Sequence, residues 1–349
     1  MSSRINIQGR DIGAASSVYI IAEMSANHGG SIDQALAIVR AAEAAGADAI
    51  KLQTYTPDTI TMDFGKESEG LRGTLWEGRN LYELYGEAFT PWEWQPKLKA
   101  AAEELGLHCF STPFDDTAVD FLEKMNVPAH KIASFELVDL ALIRRVAATG
   151  KPVIMSTGMA TLGEIDEAVR AFREAGGTEL ALLKCNSAYP APPEEMNLRT
   201  IPHLANAFGV PVGLSDHTLG ITAAVTAVAL GASIIEKHLT LTRAEPGPDS
   251  AFSLEPQEFK AMVDAVREAE QALGTVRYEP TEKEQVSRAF RRSLFVVKDM
   301  QRGDVFGKDN VRSIRPGNGL PPLFLPKVIG RCAASDIARG TPLRWEMIG

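Results

Sequence analysis

The sequence predicts an α/β protein: a (β/α)8 TIM barrel over residues 1–279, a charged connector over 280–292 and a small C-terminal β domain over 293–349. Three observations predict it. Eight short apolar runs alternate with amphipathic helical stretches, and helix leads to strand through small turns such as AGADAI at 45–50 and LGASII at 230–235. The pattern then changes near residue 280, and since such a barrel takes about 250 residues, the 349-residue chain has room for one small further domain.

The strands are read at Val18–Ala22, Ala49–Gln53, His108–Ser111, Lys131–Ser134, Pro152–Ser156, Leu180–Cys185, Val212–Ser215 and Ile234–His238. Between them, stretches such as Ile32–Ala45 and Leu162–Ala175 carry alanine and leucine at helical spacing. Glycine lets the chain leave a helix in the left-handed region, and a strand buried on both faces follows without strict alternation. Strand starts fall about 20–30 residues apart, one βα unit each, except that Ala49 to His108 spans 59 residues. The excess is an insertion after the second strand, FGKESEGLRGTLWEGRNLYELYGEAFTPWEW, rich in Trp and Tyr. It belongs at the C-terminal mouth, where βα loops build active sites, as a lid, a packed wall or an oligomer contact. After the helical run Pro256–Leu273 comes the charged stretch TEKEQVSRAFRRS. Beyond it, KDMQRGDVFGKDNV at 298–311 and SDIARGTPLRWEMI at 335–348 align at an offset of 37 and share Asp and Arg-Gly, which implies a pseudo-symmetric β fold.

Composition narrows the function. With 45 Asp+Glu against 36 Lys+Arg the net charge is −9, which lacks the footprint of a nucleic-acid binder and requires a local basic pocket for any anionic substrate. The three cysteines, Cys109, Cys185 and Cys332, include no CxxC pair, which points to a reducing cytoplasm without disulfides or structural zinc. No apolar run of about 18 residues and no signal-like h-region occurs, so neither membrane insertion nor export is expected.

Residues at the C-terminal ends of barrel strands form a ring: Glu23, Lys51 and Gln53, Ser111 and Thr112, Lys131, Ser134 and Glu136, Ser156 and Thr157, Lys184 and Ser187, Ser215 and His217, Lys237 and His238. Four lysines in otherwise apolar strands call for anionic partners, and Lys131 with neighbouring hydroxyls suits phosphate oxygens. His217 and His238, on adjacent strands, are either two ligands of a divalent ion or structural histidines. Glu23 is a proton-transfer group, a neighbour of that site or a partner of Lys51. Cys185 reads as a small buried hydrophobe.

In order along the chain, IAEMSANHGG, ADAIKLQTY, FSTPFD, KIASFE, STGMAT, KCNSAYPAP, GLSDHT, EKHLTL and GPDSAFS resemble the successive signatures of the sialic acid synthase family. The tail with RRSLFVVKDM, IRPGNG and DIARGTPL resembles that family's antifreeze-like (SAF, β-clip) domain, and the insertion resembles its pseudaminate-forming branch. The resemblance implies a transferase that condenses phosphoenolpyruvate with 2,4-diacetamido-2,4,6-trideoxy-L-altrose and water, releasing phosphate by C–O cleavage. It implies that His217 and His238 hold a divalent cation, Mn²⁺ first with Mg²⁺ or Co²⁺ possible, beside Glu23. Lys51, Thr112, Lys131, Ser134, Ser156, Ser187 and Ser215 match the positions that hold phosphoenolpyruvate, although Ser187 stands where neuraminate synthases often carry asparagine. Gln53, Tyr189, Asp249, Phe290 and Arg315 match positions around the sugar, Arg315 being brought in trans by a domain-swapped homodimer. N-acetylneuraminate or legionaminate synthesis are the nearest alternatives. A pyruvate aldolase using a Schiff-base lysine among Lys51, Lys131, Lys184 and Lys237, or a non-catalytic carbohydrate-binding protein, is more distant.

Overall fold

The computed structural model describes residues 4–64, 73, 75–245 and 247–349; part of the insertion, 65–72 with 74, lies outside the described residues. The chain divides into two compact units, Met1–Gly274 and Thr275–Gly349.

The first unit opens with an antiparallel hairpin, β1 (Arg4–Ile7) and β2 (Arg10–Gly13). Eight parallel strands then close into a barrel: β3 (Tyr19–Glu23), β4 (Ala49–Thr54), β5 (His108–Pro113), β6 (His130–Ile132), β7 (Val153–Ser156), β8 (Leu180–Cys185), β9 (Val212–Asp216) and β10 (Ile234–His238), with β10 paired back onto β3. All eight expected strands are present, and only the fourth, β6, differs appreciably, ending at Ile132 because the backbone turns at Ser134. Helices follow the strands. Their starts are fixed chemically: Asp115 caps the helix Asp116–Lys124, and Thr161 with Glu164 forms a reciprocal capping box on Leu162–Glu174.

Alternation along the strands separates two cores. Ile20, Ala22, Ile50, Leu52, Leu182, Leu214 and Ile235 face outward against the helices. Tyr19, Ile21, Phe110, Ile154, Ala181, Leu183 and Ile234 fill the barrel interior, together with Ile5, Ile7 and Ile12 of the hairpin. The hairpin therefore closes the end of the barrel opposite the mouth. The reading of the sequence did not foresee it, although INIQGRDIG carries the alternation and a two-residue turn: Gln8 and Gly9 both have positive φ, as a tight hairpin turn demands. Asn6 N donates to Glu179 Oε1 (2.7 Å) and Arg10 pairs with Asp48, which ties the hairpin to two strand entries.

In the second unit β11 (Ser293–Val296) pairs antiparallel with β12 (Val311–Ile314) over a core of Leu294, Val296, Phe306, Val328, Ile337 and Leu343. The 37-residue repeat is physical. Met300 and Ile337, mates in the two copies, exchange both backbone hydrogen bonds (2.9 and 2.8 Å). Arg302 N donates to Asp336 Oδ1 (2.8 Å), and Arg339 N to Asp299 Oδ1 (2.7 Å). Gly303 and Gly340 both adopt left-handed backbone (φ 93° and 88°), the reason Arg-Gly recurs. The segment expected as a connector holds a short helix, Glu282–Ser287.

Ile12 is fully buried under the barrel, so Ile12→Ala should cost about 2–5 kcal/mol of stability. Urea unfolding checks this; a loss below about 0.5 kcal/mol would show that the hairpin is not part of the core.

Candidate active site

At the mouth end the inward-facing positions become charged. Strand register pairs Glu23 with Lys51, His238 with Glu23, and Glu236 with Ser215, so these side chains project as neighbours. Lys51 Nζ lies 2.6 Å from Glu23 Oε2 and 3.7 Å from Glu236 Oε1, and it donates to Thr112 Oγ1 (3.3 Å). Lys131 Nζ lies 3.9 Å from Glu236 Oε1 and donates to Ser156 Oγ (2.6 Å) and the Ile132 carbonyl (3.0 Å). Ser215 Oγ donates to Glu236 Oε1 (3.1 Å). Two carboxylates and two ammonium groups thus make a chain buried inside the barrel. Burial pushes Glu23 up to about 7, against the opposing pull of Lys51. Burial acts on Glu236 in the same direction, but Lys131 and Lys51 outweigh it and hold that carboxyl below its usual range. Burial also pulls Lys131 down, leaving a cation that gains most from an incoming anion.

Beside this chain stand the two histidines, ring centroids 5.3 Å apart. His217 Nδ1–H donates to the Asn186 carbonyl (2.8 Å), which leaves Nε2 as the free lone pair. His238 Nδ1 is buried and has no hydrogen-bond partner among the described residues. Burial, with His217 next, holds the His238 ring well below the usual imidazole range, so it stays neutral. Burial pulls the His217 ring down, but Cys185 opposes it and the ring is raised; with its Nδ1–H held by the Asn186 carbonyl, it and the neutral His238 ring fit a divalent ion as two of its ligands. Among the described residues no set of three His, Cys, Asp or Glu side chains assembles as a metal site, so substrate oxygens and water would complete the coordination. Cys185 Sγ is 3.8 Å from His217 Nδ1; burial raises this thiol, yet the imidazole outweighs that and brings it to about 7.

A tight corner adjoins them. A Cβ placed on Gly158 would lie 2.3 Å from Ser187 Oγ and 2.7 Å from Ser134 Oγ, so only glycine lets the backbone approach both hydroxyls, and Gly158 N donates to Ser134 Oγ (3.0 Å). The mouth opens into a cavity of about 1220 Å³ lined by Ser25, Gln53, Ser187, Tyr189, His238 and Asp249 at one side. Ile60, Leu75, Trp76, Leu81, Leu84 and Phe114 form an apolar wall elsewhere. Trp76 Nε1 donates to the Pro248 carbonyl (3.0 Å), and its ring stacks on Tyr189 (5.7 Å), which lies against His217 and Phe252.

Glu23, Lys51, Thr112, Lys131, Ser156, Ser215, His217 and His238 therefore come together inside the barrel or at its rim, and Gln53, Ser134, Ser187, Tyr189 and Asp249 surround the same mouth. Phe290 and Arg315 lie exposed in the second unit. The ring as read from sequence needs correcting at three places. Ser111 faces outward, bonded to Thr54 Oγ1 (2.6 Å). Lys184 and Lys237 alternate outward too, following Leu182 and Ile235; Lys237 is buried against Asp216 (2.8 Å) behind the histidines, and Lys184 bonds the Cys185 carbonyl. Strand period two assigns each of them away from the interior. The same rule identifies a residue that reading missed: Glu236 lies two positions before His238 and shares its face.

The profile of the NeuB family matches residues 38–278, and that of the SAF domain matches residues 291–349. The chain belongs to the NeuB family, in keeping with its resemblance to sialic acid synthases. It is 48% identical over 327 residues to a pseudaminic acid synthase of Campylobacter jejuni subsp. jejuni, covering 94% of this chain and 95% of that one. It is 44% identical over 331 residues to the pseudaminic acid synthase of Helicobacter pylori, covering 94% and 97%. Among solved structures, the N-acetylneuraminic acid (sialic acid) synthetase of Leptospira borgpetersenii serovar Hardjo-bovis in complex with citrate superposes with a TM-score of 0.72 at 34% identity, covering 82% of this chain and 95% of that one. No helix among the described residues is long and apolar enough to cross a membrane.

Glu136, on the loop after β6, also lines the cavity, and burial raises its carboxyl from 4.5 to about 7. Between those values the folded protein binds more protons than the unfolded chain, so this group makes stability fall as pH rises from about 4.5 to 7 and level off above. Glu136→Gln should remove that part of the slope. Melting temperatures of both proteins across this range check it; parallel curves would show that Glu136 titrates normally.

Proposed function

We propose that the chain is a pseudaminic acid synthase, a transferase condensing phosphoenolpyruvate with 2,4-diacetamido-2,4,6-trideoxy-L-altrose and water to give pseudaminate and phosphate. The observation that carries this reading is one mouth combining two buried lysines among hydroxyls with an imidazole pair and a cavity that has apolar lining. The similarity to pseudaminic acid synthases over nearly the whole chain supports it.

In this mechanism Lys131, Ser134, Ser156 and Ser187 hold the phosphoenolpyruvate anion, with Lys51, Thr112 and Ser215 continuing the belt. Charge-assisted bonds position its C3 against the sugar aldehyde carbon. His217 and His238 would hold a divalent cation, Mn²⁺ the first candidate, whose chemistry there would be Lewis-acid activation of the sugar aldehyde. As C3 bonds to the aldehyde carbon, cationic character develops at C2; water adds there, and the tetrahedral product loses phosphate by C–O cleavage. Glu23, whose carboxyl lies near 7, takes the proton that the adding water gives up while Lys51 balances its charge; the aldehyde oxygen gains one proton to become a hydroxyl, and the C2 hydroxyl proton leaves with the phosphate. Gln53, Tyr189 and Asp249 orient the sugar. Such a soluble enzyme would work in the cytoplasm.

The apolar wall favours a 6-deoxy acceptor. A terminal methyl is at home there, whereas the 6-hydroxyl of N-acetylmannosamine left unpaired costs roughly 1–3 kcal/mol, about five-fold to 150-fold in rate. Offered phosphoenolpyruvate and the pseudaminate, legionaminate or neuraminate precursor sugars, the protein should release phosphate fastest with the first. Chelation should stop turnover and Mn²⁺ restore it. Equal kcat/KM for the altrose and N-acetylmannosamine would overturn the specificity, and phosphate release in metal-free buffer would overturn the metal role.

We infer further that the protein acts as a domain-swapped homodimer in which Arg315 and Phe290 of one chain complete the sugar site of the other. Inactive Arg315→Ala and His238→Ala chains, mixed and exchanged into verified heterodimers, should regain activity through one intact composite site. Heterodimers that remain inactive, from single variants that fold normally, would exclude the action in trans.

A further inference from the structure

Five residues other than glycine have a positive φ among the described residues: Gln8, Ser25, Asn126, Met159 and Asn197. Four of them are exposed, where a turn costs little to hold. Ser25 (φ 45°) is the one that is buried, 5% exposed, and it lies at the wall of the active-site cavity. Left-handed backbone at a buried serine is strained, and glycine would adopt it without steric penalty. A side chain retained under strain inside a cavity points to a task for that side chain.

The hydroxyl's bonds define the task. Ser25 follows β3, and its Oγ accepts from Gln53 Nε2 (2.9 Å), the same nitrogen that donates to Glu23 Oε1 (2.9 Å). The next backbone amide, Ala26 N, donates to Asp249 Oδ2 (3.4 Å), and the neighbouring hydroxyl counters the upward pull of burial on that carboxyl. The Ser25–Ala26 turn thus links a residue of β4 with one of the loop after β10, 196 positions apart in the chain, across the mouth.

We propose that Ser25 is a positioning residue for the sugar substrate: its left-handed backbone brings its hydroxyl to the Gln53 amide and the adjoining Ala26 amide to the Asp249 carboxylate, which fixes both in the orientation that receives the acceptor sugar. This rests on the reading of the chain as a phosphoenolpyruvate-dependent synthase. It extends that reading to a residue whose hydroxyl and adjoining amide bond the two proposed sugar contacts and fix how they point.

The test compares Ser25→Ala with Ser25→Gly. Both lack the hydroxyl, but only alanine keeps the strain, so Ser25→Gly should melt about 2 °C or more above Ser25→Ala. In kinetics the two should be alike: KM for the altrose sugar raised about tenfold, that for phosphoenolpyruvate changed less than twofold. Stabilisation by glycine without recovery of sugar KM supports the proposal. Recovery of wild-type sugar KM in Ser25→Gly would overturn it, since a conformational role alone would then suffice, and so would an equal rise in KM for both substrates. If wild type releases no phosphate from phosphoenolpyruvate with any of the three sugars, the synthase reading fails first, and the positioning role fails with it; the melting comparison still reports the strain separately.

Discussion

The architecture turns on the burial of alternating charge inside the barrel. Glu23, Lys51, Glu236 and Lys131 form a chain in which each ion contacts one of opposite sign, and removing water from any of them alone would cost several kcal/mol. Only fixed strand register keeps these contacts, because a slip of one residue would turn the charges toward the helices and the apolar outer face inward. The hairpin beneath and the Asp216–Lys237 pair behind the rim hold that register from two directions. The same desolvation that threatens the fold produces the chemistry: a carboxyl near neutrality, a weakened ammonium and an imidazole kept unprotonated.

Most of the barrel was legible because its strands are buried on both faces and separated by glycine turns, a pattern that survives without tertiary information. What the sequence leaves hidden is local and directional. The hairpin 4–13 is too short to stand out by hydrophobicity, and its isoleucines acquire meaning only from the barrel end they close. Lys184 and Lys237 look the same as Lys51 and Lys131 in a list of strand ends; inward and outward lysines separate only once the alternation is anchored on a known interior residue. Glu236 was within reach of that rule. Ser25 was not, since no composition or spacing announces a positive φ.

The insertion after β4 shows a different division of labour. Its aromatic and aliphatic side chains line the cavity, Trp76 with its indole on the Pro248 carbonyl next to Asp249, while the buried chain of charge comes from the strand ends. The buried charge and most of the apolar wall are therefore carried by separate parts of the chain. The wall can vary in shape without disturbing the buried ions, which depend on strand register alone.

The second unit illustrates how a small fold is closed by duplication. Its two copies, offset by 37 residues, do not complete themselves: the Asp of each copy receives an amide of the other, and Met300 and Ile337 pair with each other. The unit is in effect a dimer whose subunits share one chain. Covalent linkage holds each copy at an effective concentration on the order of millimolar relative to the other, so an interface too slight to join two free peptides is enough to fold this one.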